Sequence, residues 1–173
     1  MRRDLVDVEP WLRGTLTEIE PVKRAVLHAL ELAGEDVAKW GEGLGDGEMF
    51  ARPCGLAPAA FQLRHIARSL DRILTYAEGR ALGEAQLAAL QLEMSMEGTA
   101  AEVRREFEEG LRRSMERVRL IAAEDFAVER GVGRKALPTT VGGLLVHCAD
   151  HTQRHVGQFV TTVKVVRSFA GQD

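Results

Sequence analysis

A chain of 173 residues supports one domain with a substantial core and is short for two, so residues 1–173 read as a single domain. Its 45% hydrophobic and 28% charged residues are those of an ordinary globular protein, and a net charge of −3 with both signs interspersed offers no broad basic face for nucleic acid. No run approaches the roughly 18–20 apolar residues of a membrane span, which sets membrane partners aside.

Met1 to Asp7 lacks the apolar stretch of a leader peptide, and the two cysteines, Cys54 and Cys148, have no CxxC spacing and suggest no disulfide framework. A cytoplasmic location is the expectation.

In chain order, a first amphipathic helix is expected from about Thr17 to Trp40, with Val22, Val26, Ala29, Ala33, Val37 and Trp40 on its apolar face and Pro21 in its first turn. His28 falls on the opposite flank and reads as a surface histidine. Gly41 to Leu56 carries six glycine and proline residues, too many for a stable helix, and reads as a surface loop or a pocket rim. Pro58 opens a second helix that runs to about Glu78, with Leu63, Ile66, Leu70, Ile73, Leu74 and Ala77 inward and Gly79 placed to end it.

A long crossover from Arg80 to Gly98 holds a short extra helix around Leu87, Leu90 and Met94. The third main helix spans about Thr99 to Glu124, with Val103, Phe107, Leu111, Val118 and Ile121 inward and Gly110 permitting close approach of a neighbour. Its arginines, from Arg104 to Arg119, alternate with glutamates and describe a solvated, ion-paired face. A less regular segment ends at Pro138, and a fourth helix spans about Thr139 to Phe169, capped by Thr139 or Thr140. No strand pattern competes with these helices, and the fold class is all-α, a four-helix bundle with decorated connections.

The fourth helix carries the chemistry. His151 and His155 are four residues apart, so on a helix they lie roughly 40° apart and one turn above each other. Leu144, Cys148, Phe159, Thr162 and Val166 share that direction, which places two imidazoles in an apolar stripe. An unpaired buried imidazole costs about 1–3 kcal/mol, and a divalent metal ion, zinc first and nickel second, is the leading compensation.

A catalytic ion of this kind takes three protein ligands and leaves a position open. The third ligand must come from another helix. His65 is the natural candidate, although its place at the edge of its helix's apolar stripe also suits an ordinary half-exposed histidine. His147 and Cys148 stand as alternative ligands, and Gln158 is near enough to bond a ligand or another helix. Di-iron Glu-x-x-His pairs, Cys-x-x-Cys-His, His-Glu-x-x-His, P-loop and Gly-x-Gly-x-x-Gly motifs are all lacking.

Phe61-Gln62-Leu63-Arg64-His65-Ile66-Ala67-Arg68-Ser69-Leu70-Asp71-Arg72, followed by Asp150-His151-Thr152-Gln153-Arg154-His155-Val156-Gly157-Gln158, resembles the DinB-like (DinB/YfiT) family of metalloenzymes. The resemblance implies an up-down-down-up bundle whose long crossover corresponds to Arg80–Gly98, and a three-histidine site for zinc, nickel or a related ion at His65, His151 and His155. It also implies a homodimer and a small-molecule substrate. Characterised branches of the family carry out S-transfer and isomerisation with bacillithiol, mycothiol or glutathione, so a low-molecular-weight thiol is an expected cosubstrate. A non-catalytic, stress-related bundle that binds metal or a small ligand, and a metal-dependent hydrolase, are the competing readings.

Overall fold

The computed structural model describes residues 8–170; the leader reading of Met1 to Asp7 lies outside the described residues. The described chain is mostly helical. Four long helices dominate: α1 (Pro21–Gly41), α3 (Ala59–Ala77), α5 (Ala100–Leu120) and α6 (Val141–Ala170), with short helices α2 (Asp46–Phe50) and α4 (Glu84–Gln91) in two of the connections.

The ends of these helices follow from local chemistry. Pro21 occupies the first turn of α1, and the Glu20 carboxylate accepts from the amides of Val22 and Lys23 at 2.9 and 3.0 Å. Gly79, at φ +75°, ends α3 by letting its own amide and that of Arg80 reach back to the carbonyls of Tyr76 and Thr75. Thr99 and Glu102 cap α5 reciprocally, the Glu102 amide donating to Thr99 Oγ1 and the Thr99 amide to Glu102 Oε2. Of the two threonines expected to cap α6, Thr140 does so, accepting from the Gly143 amide at 3.1 Å.

Each long helix packs against two others: α1 on α6 and α5, α3 on α6 and α5. Leu27, Leu30, Leu63, Ile66, Leu70, Val103, Leu145 and Phe159 fill the space between them. Gly110 brings α5 against α3 as expected, since a Cβ there would stand 2.7 Å from that of Ala67.

Several expectations are corrected. Residues Glu129–Val132 (β1) and Leu137–Thr140 (β2) form an antiparallel hairpin where only an irregular segment was expected. Both strands are only four residues long, β2 contains a proline and does not alternate in burial, and the alternation of β1 is too brief to stand out as a period-2 signal. Within the glycine-rich connection, α2 forms because burial of Met49 and the Glu48 carboxylate on the Gly45 amide outweigh the entropic cost of its glycine. The connection is tied down by Arg104, whose guanidinium donates to the Gly41 and Leu44 carbonyls.

His28 is buried, 5% exposed, with Nε2 3.1 Å from Thr15 Oγ1. Helix α1 has neighbours on two flanks, and the turn Pro10–Leu12 packs on it as well, so its buried face is wider than a single stripe. Nor is the arginine face of α5 wholly solvated. Arg112 and Arg113 pair with Glu116 and Glu109 on the surface, whereas Arg117 reaches α3, donating to Asp71 and Glu78 at 2.7 Å each.

Candidate metal centre

Helices α3 and α6 pack side by side, and their seam brings His65, His151 and His155 together. One ring nitrogen from each lies within 4.8 Å of the others. The ring centroids are 5.0 Å apart for His65 and His151, 4.4 Å for His65 and His155, and 4.5 Å for His151 and His155. Residues four apart on α6 supply two rings on one face, and His65, at the edge of the α3 stripe, looks into the seam because α6 lies on that edge.

Hydrogen bonds fix two of the three rings. His65 Nδ1 donates to Glu93 Oε2 at 2.6 Å, and His155 Nδ1 donates to Gln62 Oε1 at 2.7 Å. A carboxylate and an amide oxygen only accept, so each ring carries a proton on Nδ1, and in its neutral form each keeps its lone pair on Nε2. Pinning a histidine through its far nitrogen is the usual support for a metal-ligating imidazole. Phe61 stacks on His65 at 5.2 Å and an interplanar angle of 18°, covering one face of the ring.

His151 completes the argument for a cation. Its Nε2 lies 3.2 Å from His65 Nε2, and its Nδ1 is buried without a hydrogen-bond partner among the described residues. With the proton on Nδ1, two lone pairs face each other at 3.2 Å; with it on Nε2, a buried lone pair is orphaned. A cation between the nitrogens removes the lone-pair conflict. In a tetrahedral site with bonds of about 2.0–2.1 Å, ligand nitrogens stand about 3.3–3.4 Å apart, close to the separation found. The residues fit the metal that the donor set implies.

Burial is the main cause that depresses both α6 imidazoles, to about 4 for His151 and about 4 for His155, with the neighbouring histidines adding repulsion. Both are therefore neutral at physiological pH, the state that ligates a metal. Glu93 is opposed by its own burial, yet the hydrogen bonds from His65 and Arg72 prevail and hold its carboxyl below the usual range.

Glu93 and Gln62 are site residues that the sequence reading missed. Glu93 lies just after α4 and is 5% exposed. Three arginines spaced four apart on α3 bind the crossover that carries it: Arg64 donates to the carbonyls of Ser95 and Glu97, Arg68 to that of Ala89, and Arg72 to Glu93 Oε1 at 2.7 Å. Arg72 also donates to Ser69 Oγ, which stands 3.4 Å from His65 Nε2. A signal existed: Glu93 is the one charged residue between Glu84 and Glu97, in a segment otherwise apolar or neutral. Gln62, three positions before His65, had the helical spacing to share its face.

The alternative ligands are elsewhere. His147 is exposed and engages Asp150 Oδ1 at 2.8 Å. Cys148 is fully buried, and burial pushes its thiol up to about 12, so it packs as a small apolar residue. Gln158 is exposed yet stays near enough to hydrogen-bond the His155 ring, whose Nδ1 is held by Gln62.

Three clefts differ in what they reach. The largest, about 650 Å³ between α1 and α5, includes Gly34, Phe107 and Met115 but no histidine, with Gly41 to Gly43 at its rim. One of about 390 Å³, bounded by Gln62, Arg154 and Gln158, touches none of the three imidazoles. The third, about 470 Å³, has His151 in its wall. No described helix is long and apolar enough to cross a membrane.

No curated protein matches the chain. The family model described as the DinB superfamily matches residues 29–159, a span that holds the four long helices in large part and all three histidines, and the chain belongs to that superfamily.

Proposed function

We propose that this member of the DinB superfamily is a divalent-metal-dependent enzyme, with zinc as the first metal and nickel the second, held by His65, His151 and His155. The observation that carries the reading is the pair of pinned rings: Glu93 and Gln62 each hold an Nδ1 proton, leaving Nε2 as the free nitrogen of His65 and His155, that of His65 3.2 Å from His151 Nε2. When bound, a divalent ion with three neutral imidazoles supplies a Lewis-acid position that lowers the pKa of a thiol or water ligand.

The chain's own groups do the rest. Glu93 orients His65 and makes it a better donor, and Arg72 holds Glu93 in place and charged. Gln62 sets the His155 ring. Phe61 shields one face of the site from water, and the apolar seam around it strengthens every electrostatic interaction inside.

The reaction we favour is S-transfer or isomerisation with a low-molecular-weight thiol, in a cytoplasmic homodimer that binds a small-molecule substrate and neither nucleic acid nor membrane. Within this proposal residues 1–173 form one domain, an up-down-down-up four-helix bundle; the closed ring of contacts α1–α6–α3–α5 supports it. The test is metal analysis of protein purified without a histidine tag, then cobalt substitution and titration with bacillithiol, mycothiol and glutathione. A thiolate-to-cobalt charge-transfer band with saturable binding for at least one thiol is the expected result. Stoichiometric metal with no response to any thiol would favour hydrolysis or a non-catalytic metal site.

A further inference from the structure

The cleft of about 470 Å³ beside the triad lies between α3, the crossover, the β1–β2 hairpin and the start of α6. Its size is that of small-molecule sites. The long walls are apolar: Ile73 and Tyr76 from α3, Leu82 and Leu90 from the crossover, Leu137 from β2 and Leu144 from α6. The polar groups gather against the triad. His151 itself is in the wall, Ser69 stands 3.4 Å from His65 Nε2 and 2.9 Å from Arg72, and the ring of His147 is 5.3 Å from that of His151.

The hairpin wall is held, not loose. Arg130 Nε donates to the Ala77 carbonyl at the end of α3, and the amides of Val141 and Gly142 donate to the carbonyls of Val128 and Phe126. Leu90 and Leu137 stay 45% and 60% exposed. Large apolar side chains left open around one cleft, and that cleft reaching His151 of the triad, describe a surface completed by an apolar ligand. Neither of the other two clefts combines an apolar wall with a triad residue.

We infer that this cleft receives the body of the substrate and that the body is apolar: an alkyl or aryl group on a small molecule whose single polar head, of a kind that ligates a metal ion, lies at the triad. The inference rests on the metal-site reading and adds the substrate class. The hairpin is then a specificity element, and residues on it set affinity without touching the ion.

The probes are ethanethiol, butanethiol, hexanethiol and benzyl mercaptan, with two readouts. Cobalt-loaded protein reports the head group through the thiolate charge-transfer band. Zinc-loaded protein reports the cleft through the ring resonances of Tyr76, the chain's one tyrosine. Affinity is expected to rise about fourfold per methylene, which corresponds to about 0.8 kcal/mol, and the Tyr76 resonances to shift on saturation. In the double variant Leu90→Gln, Leu137→Gln, both at exposed positions, the rise should flatten while ethanethiol binds as in the parent. A cobalt band with no chain-length dependence and unmoved Tyr76 resonances overturns the inference and leaves the metal reading standing. Tyr76 shifts that grow with chain length, without any cobalt band, keep the apolar cleft and overturn the metal reading. Silence in both readouts overturns both.

Discussion

Helix α3 has two seams, and they bury different things. Toward α5 it meets the bare backbone of Gly110, and most polar groups nearby are paired: Ser114 Oγ donates to the Gly110 carbonyl at 2.7 Å and Arg117 is bound by Asp71 and Glu78, while Arg64 Nε stands 3.7 Å from Glu106 Oε2 without a hydrogen bond. Toward α6 its own His65 meets two more imidazoles, and His151 Nδ1 is buried without a partner among the described residues. One seam is optimised for packing. The other gives up stability to gather ring nitrogens in a half-buried cluster, the pattern expected of a functional site.

The difference can be broken most sharply at His151. His151→Leu is expected to abolish stoichiometric divalent metal binding while leaving helical content intact and raising metal-free stability by about 1 kcal/mol, because an orphaned polar atom is replaced by an apolar group of similar size. Metal analysis, circular dichroism and chemical denaturation check the three parts. Retained metal at parental stoichiometry would mean the ligand set is wrong. On the other seam Gly110→Val drives a Cβ into Ala67, and the expected cost is about 2–3 kcal/mol, with metal stoichiometry unchanged.

Between the 6.5 of an ordinary histidine and the 4.5 of an ordinary glutamate, acid should act chiefly on the α6 seam. His151 and His155 have folded-state values depressed to about 4, below the 6.5 of an ordinary histidine, so the unfolded chain binds more protons throughout that interval. The contribution of these two rings to metal-free stability is therefore fully present above about pH 6.5, falls as pH drops toward about 4, and is exhausted below it. Allowing for the partial exposure of both rings, the fall attributable to the pair is about 2 kcal/mol. Urea midpoints of the parent and of the His151→Leu, His155→Gln double variant give the comparison; an identical decline in the two would remove the histidines as its cause.

Glu93→Gln tests the support behind the site. The amide oxygen still accepts from His65, but the charge that Arg72 holds is lost, and metal affinity should fall about tenfold with folding preserved. The smallest effect is expected at His28. Because it is buried against Thr15, His28→Ala should cost about 1 kcal/mol and leave metal binding untouched, whereas exposed His147→Ala should change neither.

Local chemistry made much of this protein legible. The 3.6-residue period of Leu63, Ile66, Leu70 and Leu74 and of Val103, Phe107, Leu111 and Val118 marks α3 and α5, because a long amphipathic helix repeats its signal many times. Pro21, Gly79 and Thr140 mark ends through their own backbone preferences, and the spacing of His151 and His155 sets two rings on one face without help from elsewhere in the chain. Tertiary structure decided what no period encodes. Whether His65 turned inward depended on α6 lying at its edge. His28 was buried by neighbours on two flanks, and β1 and β2 are too short to carry a pattern. Glu93 became part of the site because Arg64, Arg68 and Arg72 fasten a crossover across a separation of some twenty to thirty residues. A side chain's partner at that distance is fixed by which helices pack together, and that packing is a property of the whole core, not of any segment in it.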